Sequence, residues 1–84
     1  RALPGVSGMS MAEVPAPRSF VGRSLGSLDV RNRYKITVLL IKRRAGDRDR
    51  IVEQLPDANH VFEEGDMLLA MGTETNLLRF ERIG

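Results

Sequence analysis

From Met9 onward, apolar and polar positions tighten into short periodic segments separated by glycine, proline and charged residues. Met9, Met11 and Glu13 alternate with Ser10, Ala12 and Val14, the two-sided pattern of an extended strand. Pro15 and Pro17 interrupt it. Proline cannot donate to a ladder, so this strand is expected to lie at a sheet edge or to end there. Ser24 is placed to cap a helix over residues 25–34, its hydroxyl accepting from an otherwise orphan backbone N–H. Leu25 and Leu28 share one face of that helix, while Asp29, Asn32 and Arg33 suit water. Gly26 weakens it by roughly 1 kcal/mol relative to Ala, so packing must hold it.

Ile36-Thr-Val-Leu-Leu-Ile41 is the clearest strand, β-branched and apolar on both faces, and is expected in the middle of its sheet. Arg44-Ala-Gly-Asp47 predicts a turn or loop. Ile51-Val52 begins a second, shorter strand that Pro56 ends. After a turn at Glu64-Gly-Asp66, Met67-Leu-Leu-Ala-Met71 predicts a further strand, broken by Gly72. Leu40 and Leu69 are expected in the sheet core. Thr73 can cap a last helix over residues 74–82, with Glu74 in its first turn and Arg79 and Arg82 near its end, as the macrodipole favours. Leu77 and Phe80 form its inward stripe. The order β, α, β, β, β, α predicts an α+β fold, a small β-sheet covered by two short helices. Residues 1–8, rich in Gly, Pro and Ser, suggest a flexible tail or linker remnant ahead of one domain over 9–84.

With 84 residues there is room for one domain. A domain of this size buries only about 60% of its unfolded surface, so its stability margin is thin and dimerisation is a natural supplement. The absence of Cys excludes disulfides and thiolate sites and fits a cytosolic setting. The longest apolar run is far short of the ~20 residues of a spanning helix. No secretory leader is visible. The chain begins with Arg1 and reads as a piece of a longer protein. Net charge is only +2, but eight of the 13 basic residues fall within residues 31–50, opposed there by Asp47 and Asp49 alone. Eleven of the 13 are Arg, suited to bidentate binding of phosphate or carboxylate. A solvated loop face and an anion site are both open readings. Nucleic acid is disfavoured, because Tyr34 and three Phe offer little stacking platform.

Catalytic constellations are not found. His60 is the lone histidine and reads as a loop residue. Three or four N/S ligands for zinc cannot be assembled. Asp47, Asp49 and Asp57 do not match calcium-loop spacing. Ser19, Ser24 and Ser27 lack a histidine at a suggestive distance. Glu63 and Glu64 precede a turn and are expected to face water. Gly22 and Gly26 have neither the spacing nor the preceding strand of a phosphate-binding loop.

Four segments in register carry a family pattern. Phe20-Val-Gly-Arg-Ser-Leu-Gly-Ser-Leu-Asp-Val-Arg-Asn-Arg-Tyr34 resembles the TrkA-C sequence of a Gly-Lys/Arg, a short helix and a "Leu-Asp-hydrophobic-Arg-x-x-Tyr" ending. Ile36-Thr-Val-Leu-Leu-Ile-Lys-Arg43 resembles its central strand. Glu64-Gly-Asp-Met-Leu-Leu-Ala-Met-Gly72 and Asn76-Leu-Leu-Arg-Phe80 resemble its "Gly-Asp" strand and last helix. Each segment alone is unspecific; together they span about residues 10–82. The resemblance implies an RCK C-terminal domain: non-enzymatic, homodimeric, cytoplasmic, and tied to the membrane through a potassium or other cation transporter or channel. Its role would be regulatory ligand sensing, or alternatively passive dimerisation within a larger transporter. Lys35 departs from the pattern, since many relatives have Gly after the Tyr.

Some TrkA-C domains bind cyclic di-AMP between two subunits. Carried over by position, the resemblance implies that Arg31 would meet a phosphate while Leu25, Ile36 and Thr37 line the base pocket. Thr37 replaces the usual Asn, removing a two-sided hydrogen-bonding amide. Cyclic di-AMP, another nucleotide or anion, and no ligand at all stay open. Without a ligand, Arg31 would pair with Asp29 or Glu13. No cofactor and no metal is expected.

Overall fold

The computed structural model describes residues 8–46 and 50–84. Most of the expected tail, and Asp47, Arg48 and Asp49, lie outside them. Four strands, β1 (Ser10–Pro15), β2 (Thr37–Ala45), β3 (Arg50–Gln54) and β4 (Met67–Gly72), form one antiparallel sheet in the order β1-β4-β2-β3. β2 is internal, as its apolar run predicts, and β1 is an edge strand that ends at Pro15 opposite Met67. A 3₁₀ turn over Arg18–Phe20 follows β1. Three helices complete the domain: α1 (Leu25–Leu28), α2 (Val30–Tyr34) and α3 (Glu74–Glu81). Thr73 caps α3, its Oγ1 accepting from Asn76 N at 3.1 Å.

The single helix expected over 25–34 is two helices instead. Ser24 does cap the first, accepting from Ser27 N at 3.2 Å. The chain then breaks at Asp29, which is left-handed at φ 47°. The reason lies in its neighbours. Leu28 and Val30 are both buried, at 1% and 4% exposure. Two residues apart on a continuous helix, they would point about 200° away from each other. The kink turns both inward, and Asp is among the few residues that tolerate it.

Lys35 is also left-handed, at φ 60°, a conformation that Gly adopts most readily and that is built here with Lys. It delivers Ile36 to the core, where Ile36 packs so close to Gly72 that a Cβ there would stand 3.0 Å from its Cγ2.

β2 runs four residues beyond Ile41 and takes in Arg44 and Ala45, where a turn is expected. Arg43 and Arg44 pair with Val52 and Ile51. Leu40 and Leu69 are not core residues: both are half-buried. The register shifts between Val38 and Leu40, leaving Val38 opposite Ala70 but Leu40 opposite Leu69 and Ile41 opposite Leu68. One extra residue in the strand reverses its parity, so Ile41 faces inward with Leu68 and Ala70. The other face carries Met11, Leu40, Leu69 and Met71, all half-buried. The helix-side core is sealed by Phe20, Phe62 and Phe80, with ring centroids 5.6 and 5.7 Å apart across Phe20.

Candidate functional site

A cleft of about 250 Å³ opens where α1 and α2 meet the start of β2. Leu25, Ile36, Thr37 and Arg31 all line it. The kink at Asp29 matters here, because it brings Leu25 on α1 and Arg31 on α2 to one cavity. The four residues contribute differently. Ile36 is 1% exposed and forms floor rather than wall. Leu25 and Thr37 are half-buried, and Arg31 is exposed at the rim. Sequence reasoning missed Pro56, which also lines the cleft, and Asp29 and Val30 beside Arg31. Pro56 lies twenty residues beyond Ile36, and no local pattern announces that it returns there.

Arg31 does not find the partners expected for it in the absence of a ligand. Glu13 is paired with Lys42 at 2.9 Å. The Asp29 carboxylate accepts from Asn32 Nδ2 at 2.9 Å. Among the described residues no carboxylate pairs with the Arg31 guanidinium. An exposed guanidinium beside an apolar cavity can receive a phosphate oxygen together with the flat face of a base.

Three other cations of the Arg-rich stretch each have partners of their own. Arg33 lies over the Tyr34 ring at 5.6 Å. Lys42 sits between Glu13 and Glu53, and hydrogen bonding to Glu13 raises its pKa further above the usual lysine value. Arg43 turns inward. Its Nε and Nη2 donate to the two oxygens of Asp66, each at 2.8 Å, its Nη2 also donates to Val61 O at 2.9 Å, and its Nη1 meets Glu63 at 2.9 Å. Glu63, expected to face water, is 67% exposed and is also an ion-pair partner of Arg43.

Asp66 is 1% exposed and also accepts from Glu63 N at 3.0 Å. Burial alone would push its carboxyl up; the Arg43 fork, the Glu63 amide and His60 outweigh it and hold the carboxyl below the usual carboxylate range. His60 Nε2 lies 3.3 Å from both Asp66 Oδ2 and Arg43 Nη2. Arg43 Nη2 already directs its two hydrogens to Asp66 and Val61, so counting donors assigns the proton to His60 Nε2, which donates to Asp66. His60 is thus a packed member of a network. The "Gly-Asp" pair and the Arg after Ile-Lys were visible as pattern; their mutual contact was not.

Among the described residues no cluster of His, Cys, Asp and Glu is arranged to hold a metal ion. None of their helices is long and apolar enough to cross a membrane.

This arrangement, a small antiparallel sheet with helices on one face and a cleft beside the kinked first pair, is that of an RCK C-type domain. The chain belongs to the TrkA-C domain family, whose sequence profile matches residues 9–83. It is 34% identical over 73 residues to the Ktr system potassium uptake protein C of Bacillus subtilis, covering 87% of this chain but only 31% of that protein. It is similar in structure to the RCK C domain of the potassium transport protein KtrA, solved in complex with cyclic diadenosine monophosphate. There the TM-score is 0.71 at 32% identity, covering 88% of this chain and 81% of that one. The GsuK RCK domain shares the fold, with a TM-score of 0.70 at 24% identity over 90% of this chain and 16% of that one.

Proposed function

We propose that this domain is the cytoplasmic regulatory element of a potassium or other cation transport system, a homodimer that senses a nucleotide-type anion of the cyclic di-AMP class. The observation that carries this reading is the cleft itself. It joins Arg31 at the rim, which pairs with no carboxylate among the described residues, to the apolar Leu25 and Ile36 and to the hydroxyl of Thr37. Family membership and the ligand held by the KtrA domain support it. A ligand with two phosphates and two bases suits the two-fold symmetry of a dimer. It would also relieve the repulsion of two arginines brought together.

A second reading, a dimerisation module without ligand, draws on the half-buried apolar face around Leu40, Leu69 and Met71. Sedimentation at micromolar concentration tests the dimer, and a species of monomer mass alone would defeat both readings. Calorimetry and thermal shift with cyclic di-AMP, ATP, ADP and NAD separate them. Sensing predicts a melting temperature that rises once ligand exceeds its Kd. Arg31→Ala abolishes that rise without changing the unliganded protein, and moderate salt weakens it. No heat and no shift up to millimolar ligand leaves the ligand-free module.

A further inference from the structure

α1 is a single turn containing Gly26, and a helix of that length does not hold itself in place. Its position comes from the connection between β3 and β4. Leu25 N donates to His60 O at 2.8 Å and Gly26 N to Ala58 O at 2.9 Å. Gly22 N donates to Phe62 O at 2.9 Å, and Phe62 N returns to Arg23 O at 3.0 Å. Gly26 makes the approach feasible, since a Cβ there would meet Ala58 O at 3.0 Å. The same connection contributes Pro56 to the cleft. One segment therefore supplies one wall of the cavity and places the helix that forms another.

What anchors this connection is Arg43. From β2 it reaches across to the Val61 carbonyl, to Glu63 and to both oxygens of Asp66. The buried Asp66 in turn holds Glu63 N and His60. Neither Arg43 nor Asp66 lines the cleft.

We propose that the Arg43–Asp66 pair is a positioning device for the cleft. It holds the connection, and through it α1, in the arrangement where Leu25, Gly26 and Pro56 line one cavity. Ligand affinity then depends on two residues that do not touch the ligand. The affinity claim rests on the cleft being the ligand site; the positioning claim does not.

Hydrogen exchange of the ligand-free chain and calorimetry with cyclic di-AMP test the two claims separately. In Asp66→Asn the Leu25 and Gly26 amides should exchange about tenfold faster relative to the β1–β4 ladder, as loss of a buried charge-assisted hydrogen bond lowers the local opening energy. Leu77→Ala, a core truncation on α3 away from the cleft, should leave that ratio unchanged. The Kd for cyclic di-AMP should weaken at least about tenfold in Asp66→Asn and hold in Leu77→Ala, at a temperature where all are folded. If Asp66→Asn does not fold, Arg43→Lys decides. It keeps the charge but cannot form the fork, and should loosen the same amides. Unchanged relative protection of Leu25 and Gly26 overturns the positioning claim. Loosened amides with an unchanged Kd overturn its link to the ligand. A wild-type chain that binds nothing overturns the sensing role and the affinity claim with it, while the exchange ratios still decide positioning.

Discussion

Ile36 sits against Gly72 so tightly that a Cβ at position 72 would stand 3.0 Å from its Cγ2 and 3.3 Å from the Lys35 carbonyl. One of those atoms belongs to a buried side chain and the other to the backbone, so neither yields easily. Gly72→Ala should therefore destabilise the domain by about 1–3 kcal/mol through overpacking. Urea unfolding checks this, and a change within about 0.5 kcal/mol would show that the strand and the turn can separate freely.

Lys35 holds the left-handed conformation that delivers Ile36. Lys35→Gly removes a strain of about 1 kcal/mol while loosening the unfolded chain by a smaller amount, so it should be neutral to mildly stabilising. Lys35→Val, β-branched, should be clearly destabilising. Midpoints in the order Gly, Lys, Val support the assignment, and a Val variant as stable as wild type contradicts it.

Leu68 and Leu69 are adjacent, chemically identical and differently placed: Leu68 is fully buried and Leu69 half-buried on the opposite face. Leu68→Ala should cost about 2–5 kcal/mol and Leu69→Ala distinctly less, measured on dilute protein. Equal losses would mean that the outer face is covered in solution. Repeating Leu69→Ala across protein concentration then tells whether a second copy covers it.

The Asp66 carboxyl lies below its ordinary value of 3.8 in the folded protein. A depressed carboxyl contributes stability above its unfolded pKa and loses it as pH falls through that value toward the folded one. The stability difference between wild type and Asp66→Asn should thus be largest above about pH 4 and shrink below it. Denaturant unfolding at a series of acid pH values measures it. A difference that stays constant to about pH 2 would show that Asp66 acts by shape rather than charge.

Local chemistry in the chain determined the order of the elements, the edge position of the proline-ended strand, the hydroxyl caps at Ser24 and Thr73, and the family. Each depends on a few neighbouring residues, which is the range over which propensity, capping and periodicity act. Arg31, Leu25, Ile36 and Thr37 were nameable as a set through the family resemblance, and the fold brings all four to one cleft. Tertiary structure decided three other things. The run from Ile36 to Ile41 is apolar on both sides and so carries no parity of its own; the register shift beside Leu40 chose Ile41 for the core. The helix over 25–34 looked continuous until the core demanded both Leu28 and Val30, which forced the kink at Asp29. Arg43 looked like one more solvated cation in a basic stretch. Its partner Asp66 lies 23 residues away, and only the folded sheet brings a buried carboxylate within 2.8 Å of it. Desolvation makes an unpaired buried charge too costly to keep, so the fold, not the local composition, determined that Arg43 turned inward while Arg31 stayed exposed at the cleft.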